Sequence, residues 1–86
     1  MTPAQALREA HVAGQQGLFE VSSHALRRMM ERNVTREDIR CALRSATSAT
    51  HQDVDKWRLE GGRDVDGEPL GVVAVFVDRR IIITVF

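Results

Sequence analysis

Three side chains able to handle a phosphate recur at a helical interval in the first half of the chain. His24, Arg28 and Arg32 are four residues apart, so a helix would place them in one row. RNA cleavage without a metal needs a proton acceptor, a proton donor and cations beside the phosphate. Histidine exchanges protons near neutral pH, and arginine binds phosphate through paired N–H groups. The structural alternative is that His24 bonds to backbone and the arginines anchor the helix to a sheet.

A second cationic row follows at the same interval, formed by Arg36, Arg40 and Arg44. The opposite side of that segment is apolar and is predicted to face the core, through Ile39, Ala42, Leu43 and Ala46. The three arginines are therefore predicted to form a solvated face, with a track for phosphates as the alternative.

The remaining side chains with reactive potential do not form a recognisable set. His11 and His51 are predicted to be exposed bystanders, and the spacing of histidine and cysteine does not match a metal site. Cys41 is the only cysteine, so it is either a small core residue or a reactive thiol. Trp57 is predicted to belong to the core or to a binding face rather than to a base-stacking platform. We expect no metal and no cofactor.

Two helices with a sharp break between them must position the two rows. Thr35 and Asp38 have the spacing of a capping box, and Asn33 is a suitable left-handed terminator for the preceding helix. These signals predict one helix over residues 23–32 and another over residues 36–45. In the first of these helices, the side chains predicted to be buried are Ala25, Leu26, Met29 and Met30.

The remainder of the chain predicts an extra helix before this pair and strands after it. Thr2, Pro3 and Gln5 form a helix start, and a helix is expected over residues 3–13. After residue 46 the hydrophobic period changes to two, with strands predicted over 57–65, 70–77 and 81–86 and with turns at Asp66-Gly67 and Asp78-Arg79. The first of these strands is interrupted at Gly61-Gly62, which predicts a bulge or a bend. This order predicts an α+β fold with helices on one face of a twisted antiparallel sheet.

Length and charge limit the organisation and the partners. Eighty-six residues predict a single domain, residues 1–86. Twelve basic residues balance twelve acidic ones, so the strong basic excess that is typical of nucleic-acid binders is absent. Residues 1–46 nevertheless hold seven arginines against five acids. Because neither a signal peptide nor a long apolar run is recognisable, we expect a cytoplasmic protein without membrane contact.

The last predicted strand, residues 81–86, is apolar on both faces. At a sheet edge, its open backbone groups would invite pairing with another strand. The sequence therefore predicts a homodimer through this strand, or a state that depends on a partner.

The segment HALRRMMERNVTREDI, followed by a DG turn and the terminal IIITVF, resembles a bacterial family known as domain of unknown function 4258. The resemblance covers residues 22–86 and leaves residues 1–18 as an extra helix. The positions that carry it are His24, Ala25, Arg28, Met29, Arg32, Thr35, Asp38, Gly67 and Thr84.

This resemblance implies a fold similar to the RelE/ParE toxin superfamily. It also implies a toxin-like domain that binds or cleaves RNA, is paired with an antitoxin protein and has His24, Arg28 and Arg32 as its catalytic residues. Thr84 joins them as a supporting hydroxyl only because it matches the family pattern. The alternative is a non-catalytic protein-interaction module of the same fold.

Overall fold

The computed structural model describes residues 1–86 as three helices and one five-stranded sheet, which confirms the predicted α+β class. In chain order the elements are α1 (Pro3–Gln16), β1 (Glu20–Val21), α2 (Ser23–Arg32), α3 (Arg36–Ser45), β2 (Ser48–Asp53), β3 (Lys56–Glu60), β4 (Val72–Val77) and β5 (Arg80–Val85). The strand order is β1-β5-β4-β3-β2. Strands β2 to β5 form an antiparallel meander, whereas β1 pairs parallel to β5. The sheet is therefore mixed. The antiparallel meander predicted after residue 46 is confirmed, and β1 adds one parallel pair at its edge.

The break between α2 and α3 is formed as predicted. The Thr35 hydroxyl accepts from the Asp38 N–H at 3.1 Å, and the Asp38 carboxylate accepts from the Thr35 N–H at 2.9 Å. Asn33 ends α2 with a φ of 56°, and its N–H donates to the Met29 carbonyl. These contacts involve residues three or four apart, which is why their types and spacing were sufficient to predict both helices.

Helix α1 extends three residues beyond its predicted end because Gly14 fits inside it. A Cβ at this position would lie 2.6 Å from the backbone nitrogen of Arg44. The missing side chain lets α1 lie directly against α3, and the helix ends only at Gly17, where φ is 70°. α1 is the longest helix, and none of the three is long and apolar enough to cross a membrane.

One hydrophobic core joins the helices to the sheet. Side chains from all three helices and from β3, β4 and β5 belong to it, and the largest fully buried ones are Ile39, Leu43, Leu59, Ile83 and Val72. The predicted apolar face of α3 is confirmed, because Ile39, Ala42 and Leu43 are all buried. Trp57 is 4% exposed. Of the two predictions for this side chain, a core residue or part of a binding face, the first is confirmed.

The buried face of α2 is narrower than predicted. Ala25 and Met29 are buried, but Leu26 is 51% exposed and Met30 is 74% exposed. α2 packs mainly against β5, beside the two-residue edge strand β1. Because no further element covers the outer side of the helix, only one stripe of α2 reaches the core, and the prediction that Leu26 and Met30 are buried is wrong.

The chain between β3 and β4 leaves the sheet, so the predicted strand over 57–65 ends early. Gly61 has a φ of 82°, and the segment beyond it crosses to α3. There the Arg63 N–H donates to the Ser45 hydroxyl at 2.9 Å, and the Val65 N–H donates to Asp38 at 3.1 Å. The predicted turn at Asp66-Gly67 is present within this segment.

Strand β5 is not an edge strand. It lies between β4 and β1, with Glu20 and Val21 paired to Ile82 and Ile83. Its backbone groups are therefore engaged on both sides along part of its length. The edge argument for a homodimer through the C-terminal strand does not apply to this fold, because β1 pairs with the outer side of β5.

Candidate functional site

Ser22 fixes the start of α2 to the sheet. Its hydroxyl oxygen accepts from the Ala25 N–H at 3.1 Å, which is the bond of a helix N-cap. The same hydroxyl donates to the Thr84 carbonyl at 3.3 Å, and the Ser22 N–H donates to the Ile83 carbonyl at 2.9 Å. The first turn of α2, which carries His24, is therefore held beside β5 near Thr84.

Thr84 lies at an irregularity in β5. Val73 pairs with Val85, but the next residue of β4, Ala74, pairs with Ile83, so Thr84 is the extra residue of a β-bulge. Its hydroxyl donates to the Val73 carbonyl at 3.1 Å. Since this bond uses the only hydroxyl proton, Thr84 can still accept a hydrogen bond from a ligand but cannot donate one.

The predicted row lies along one edge of α2 and differs in burial from member to member. His24 and Arg32 are exposed, whereas Arg28 is half-buried between them. Four residues of helix rise by about 6 Å, so the row extends over about 12 Å. The structure thus presents two solvent-accessible groups on either side of an arginine that is partly withdrawn from water.

Arg28 contains the one buried side-chain polar atom that lacks a hydrogen-bond partner. Its Nε is inaccessible to water and has no acceptor within the chain. The two ion pairs of the protein involve other arginines, Arg40 with Glu37 and Arg80 with Glu20. A buried N–H without an acceptor is unfavourable, and a guanidinium without a counter-ion attracts anions. Arg28 has no counter-ion within the chain, and this half-buried arginine is therefore a candidate for binding an anion from outside the chain.

Arg36 and Arg40 are not the free solvated side chains that the sequence predicts. Their guanidinium groups donate at 2.8–3.0 Å to four carbonyl oxygens at the end of α1 and just beyond it, those of Gly14, Gln15, Gly17 and Phe19. The last carbonyls of a helix lack helical partners and form the negative end of its dipole. Arg36 and Arg40 thus hold α1 against α3, and they are structural rather than available for RNA.

Replacing Arg40 with alanine is expected to destabilise the protein by about 1–2 kcal/mol, because two charge-assisted bonds to α1 are lost. Urea denaturation should show the change as a lower midpoint. Arg27→Ala is the matched control, since Arg27 is exposed on α2 and makes no hydrogen bond or ion pair within the chain. Equal midpoints for the two variants would show that the contacts to α1 contribute nothing measurable.

Asp38 connects α3 to the segment between β3 and β4. Its carboxylate accepts from the backbone N–H groups of Thr35 and Val65. The hydrogen bond from Thr35, opposed by burial and supported by the bond from Val65, holds the pKa of Asp38 below its ordinary value of 3.8. This carboxylate is used for folding and is not a free acid for catalysis.

The lowered pKa of Asp38 predicts acid sensitivity. Below its ordinary pKa of 3.8 the unfolded chain binds a proton at this carboxylate more readily than the folded protein does. The stabilisation is therefore complete above that pH and is lost as the pH falls through the lower pKa of the folded state. Asp38→Asn should be less stable at neutral pH and should lose less stability on acidification, as measured by thermal unfolding between pH 7 and strongly acidic buffers. Parallel acid profiles for the two proteins would contradict this role.

Two other sequence predictions concern histidines. His11 is half-buried rather than exposed, and its Nε2 lies 2.7 Å from the Ala46 carbonyl oxygen. His51 is exposed, as predicted, with its Nε2 3.1 Å from the carbonyl oxygen of Val54. Neither histidine ring forms a hydrogen bond with α2.

One contact at the candidate site could not be predicted from the sequence. It is the hydrogen bond from the Ser22 hydroxyl to the Thr84 carbonyl, which joins residues 62 positions apart.

The fold and the site together define a small α+β domain with a cationic helix edge facing the sheet. Residues 21–86 match a family described as a domain of unknown function, DUF4258, and the chain belongs to that family. The matched region contains α2, α3 and the strands β2 to β5, whereas α1 precedes it. Neither a curated protein nor a solved structure matches the chain.

Proposed function

We propose that this protein is a toxin-like domain that binds RNA and cleaves it without a metal, with the edge of α2 as its active site. The observation that carries the proposal is the half-buried Arg28, which forms no ion pair within the chain and lies between the exposed His24 and Arg32 on one helix edge. The resemblance to the RelE/ParE toxin superfamily supports the same choice of reaction.

A phosphodiester fits the unsatisfied groups of this edge. Its anionic oxygens would accept from Arg28 and from the exposed Arg32, and guanidinium groups suit such bidentate contacts. Since the whole chain has no net charge, affinity would come from this local edge rather than from a general basic surface.

His24 is the proton acceptor in the proposed reaction. It takes the proton of the ribose 2′-hydroxyl, and the 2′-oxygen attacks the phosphorus. The bond from phosphorus to the 5′-oxygen breaks, and water protonates that oxygen. The products are a 2′,3′-cyclic phosphate and a 5′-hydroxyl end. Arg28 and Arg32 stabilise the charge that develops on the phosphate oxygens. The hydroxyl proton of Thr84 is already bonded to the Val73 carbonyl, so Thr84 does not donate a proton in this reaction. It supports the site only through its position at the β-bulge.

Binding to single-stranded RNA tests the role of Arg28. The affinity of the wild type should fall with salt, and Arg28→Ala should weaken binding and reduce the salt slope by about 0.7, the value expected for one lost phosphate contact. Arg27→Ala, one position away and on a different side of the helix, is the control. If both variants bind RNA as the wild type does, the α2 edge is not a phosphate site.

A non-catalytic interaction module is the second candidate, and the exposed side chains Leu26 and Met30 favour it. They lie one turn apart on α2, where a partner such as an antitoxin protein would bury them. Slow growth on induction, relieved by co-expression of the product of a neighbouring gene, would support a toxin with its antitoxin. A wild type that neither binds nor cleaves RNA would leave the interaction module as the better assignment.

A further inference from the structure

We propose that the cleft between α1 and the β4–β5 turn binds a small amphipathic anion, with Arg79 holding its carboxylate head and the cleft walls holding its apolar body. We call this site the α1 cleft. It is distinct from the α2 edge, and the inference does not depend on the proposed function.

The α1 cleft has the size and lining of a ligand site. Its volume is about 590 Å³, within the range of about 300–1,000 Å³ that is usual for small-molecule pockets. Its apolar lining comes from both sides of the cleft: Met1, Val12, Ala13, Leu18, Phe76, Val77 and Ile81. Leu18 is 67% exposed and Val12 is 41% exposed, and both lie in the same cleft, where contiguous exposed apolar surface is typical of a binding groove. An apolar ligand body would remove these surfaces from water.

Arg79 is held at the cleft in an unfavourable backbone conformation. The two residues of the β4–β5 turn, Asp78 and Arg79, have φ values of 50° and 61°. Such a turn favours asparagine followed by glycine, and a branched or long side chain in the left-handed region is strained. Yet the Arg79 guanidinium makes no hydrogen bond or ion pair within the chain, unlike that of Arg80, which pairs with Glu20. The Arg79 guanidinium is therefore free to bind a group from outside the chain.

The other charges at the cleft leave Arg79 as its free cation. Glu20, through its hydrogen bond and its charge, and more weakly Asp78 raise the pKa of Arg80. Asp78 thus faces a cation that already has a partner. Glu9 on the α1 wall and Asp78 in the turn are the two acids that oppose an anion in the cleft. Removing the charge of Arg79 is therefore expected to weaken the binding of an anion, and removing the charge of Glu9 is expected to strengthen it.

The carboxylate is the chemical group that matches a guanidinium in this setting. It accepts two parallel N–H groups, and an alkyl chain attached to it would extend along the apolar walls. α1 supplies one of those walls and precedes the region that matches the family. One wall of the α1 cleft therefore lies outside the region that matches the family, and the other wall lies within it.

Titration of the isotope-labelled full chain with octanoate, followed by proton–nitrogen correlation spectra, tests the proposal. Octanol is the matched neutral probe. We expect octanoate to shift the amide signals of Val12, Leu18 and Phe76 and to bind more tightly than octanol. Arg79→Gly should weaken octanoate binding by about fivefold, the effect of one partly exposed ion pair, and should leave octanol binding unchanged. Glu9→Gln should strengthen octanoate binding.

Thermal unfolding separates this effect from loss of structure. Arg79→Gly should raise the melting temperature by a few degrees, because glycine adopts the turn without strain. A variant that is more stable and yet binds octanoate less tightly cannot owe the loss to unfolding. The proposal is overturned if the amide shifts lie outside the cleft, if octanol binds as tightly as octanoate, or if Arg79→Gly binds octanoate like the wild type.

Discussion

Replacing His24 with alanine is expected to abolish RNA cleavage, lowering the rate at saturating RNA by about 10²–10⁴-fold, the usual contribution of a general base or acid. The melting temperature should stay within a few degrees of the wild type, because the side chain is exposed and makes no hydrogen bond within the chain. The measurement is single-turnover cleavage of a labelled single-stranded RNA, together with thermal unfolding of each variant.

His51→Ala is the matched control for this experiment, because His51 is also exposed and lies on the opposite edge strand β2. It should cleave RNA at the wild-type rate. Full activity in His24→Ala would remove the histidine from the mechanism. If the His24→Ala variant unfolds, His24 has a structural role instead. The RNA-binding experiment with Arg28→Ala then tests the α2 edge independently of His24.

Replacing Leu43 with alanine is expected to destabilise the protein by about 2–5 kcal/mol. The side chain is completely buried in the last turn of α3, so the change leaves a cavity as well as removing apolar contacts. A domain of this size has a total stability of about 5–15 kcal/mol, so much of it would be lost. Chemical denaturation at neutral pH measures the difference.

Leu26→Ala provides the same chemical change on the neighbouring helix. Leu26 is 51% exposed, and its replacement should cost less than about 1 kcal/mol. The pair therefore compares burial directly, since both variants replace leucine by alanine in a ten-residue helix. If the two variants were equally stable, the assignment of the buried faces of α2 and α3 would be wrong.

Most of the helical structure follows from short-range patterns. Thr35 and Asp38 satisfy each other's backbone N–H groups, and Asn33 ends the preceding helix, so three residues fix the break between α2 and α3. The change of hydrophobic period after residue 46 likewise predicts a sheet that follows the helices. The glycine pair at Gly61-Gly62 predicted the interruption after β3, but not the course of the chain beyond it, because that segment is held by bonds to α3 and not by its own pattern.

The candidate site was predictable only in its residue types and spacing. Helical periodicity alone placed His24, Arg28 and Arg32 on one edge of a helix. The second arginine row has the same spacing, but Arg36 and Arg40 are bonded within the chain. The end of α1 lies against them and its carbonyl groups accept their hydrogen bonds. Spacing cannot distinguish a row beside another helix from a row beside open solvent.

The sequence by itself determined the class of fold, both central helices and the composition of the α2 edge, since each depends on residues close together in the chain. Tertiary structure alone decided that the Arg28 Nε is buried without an acceptor and that the Thr84 hydroxyl is bonded to Val73. It also decided that Ser22 joins α2 to β5 across 62 residues. These properties depend on contacts between residues that are far apart in the chain, and no local sequence pattern specifies such contacts.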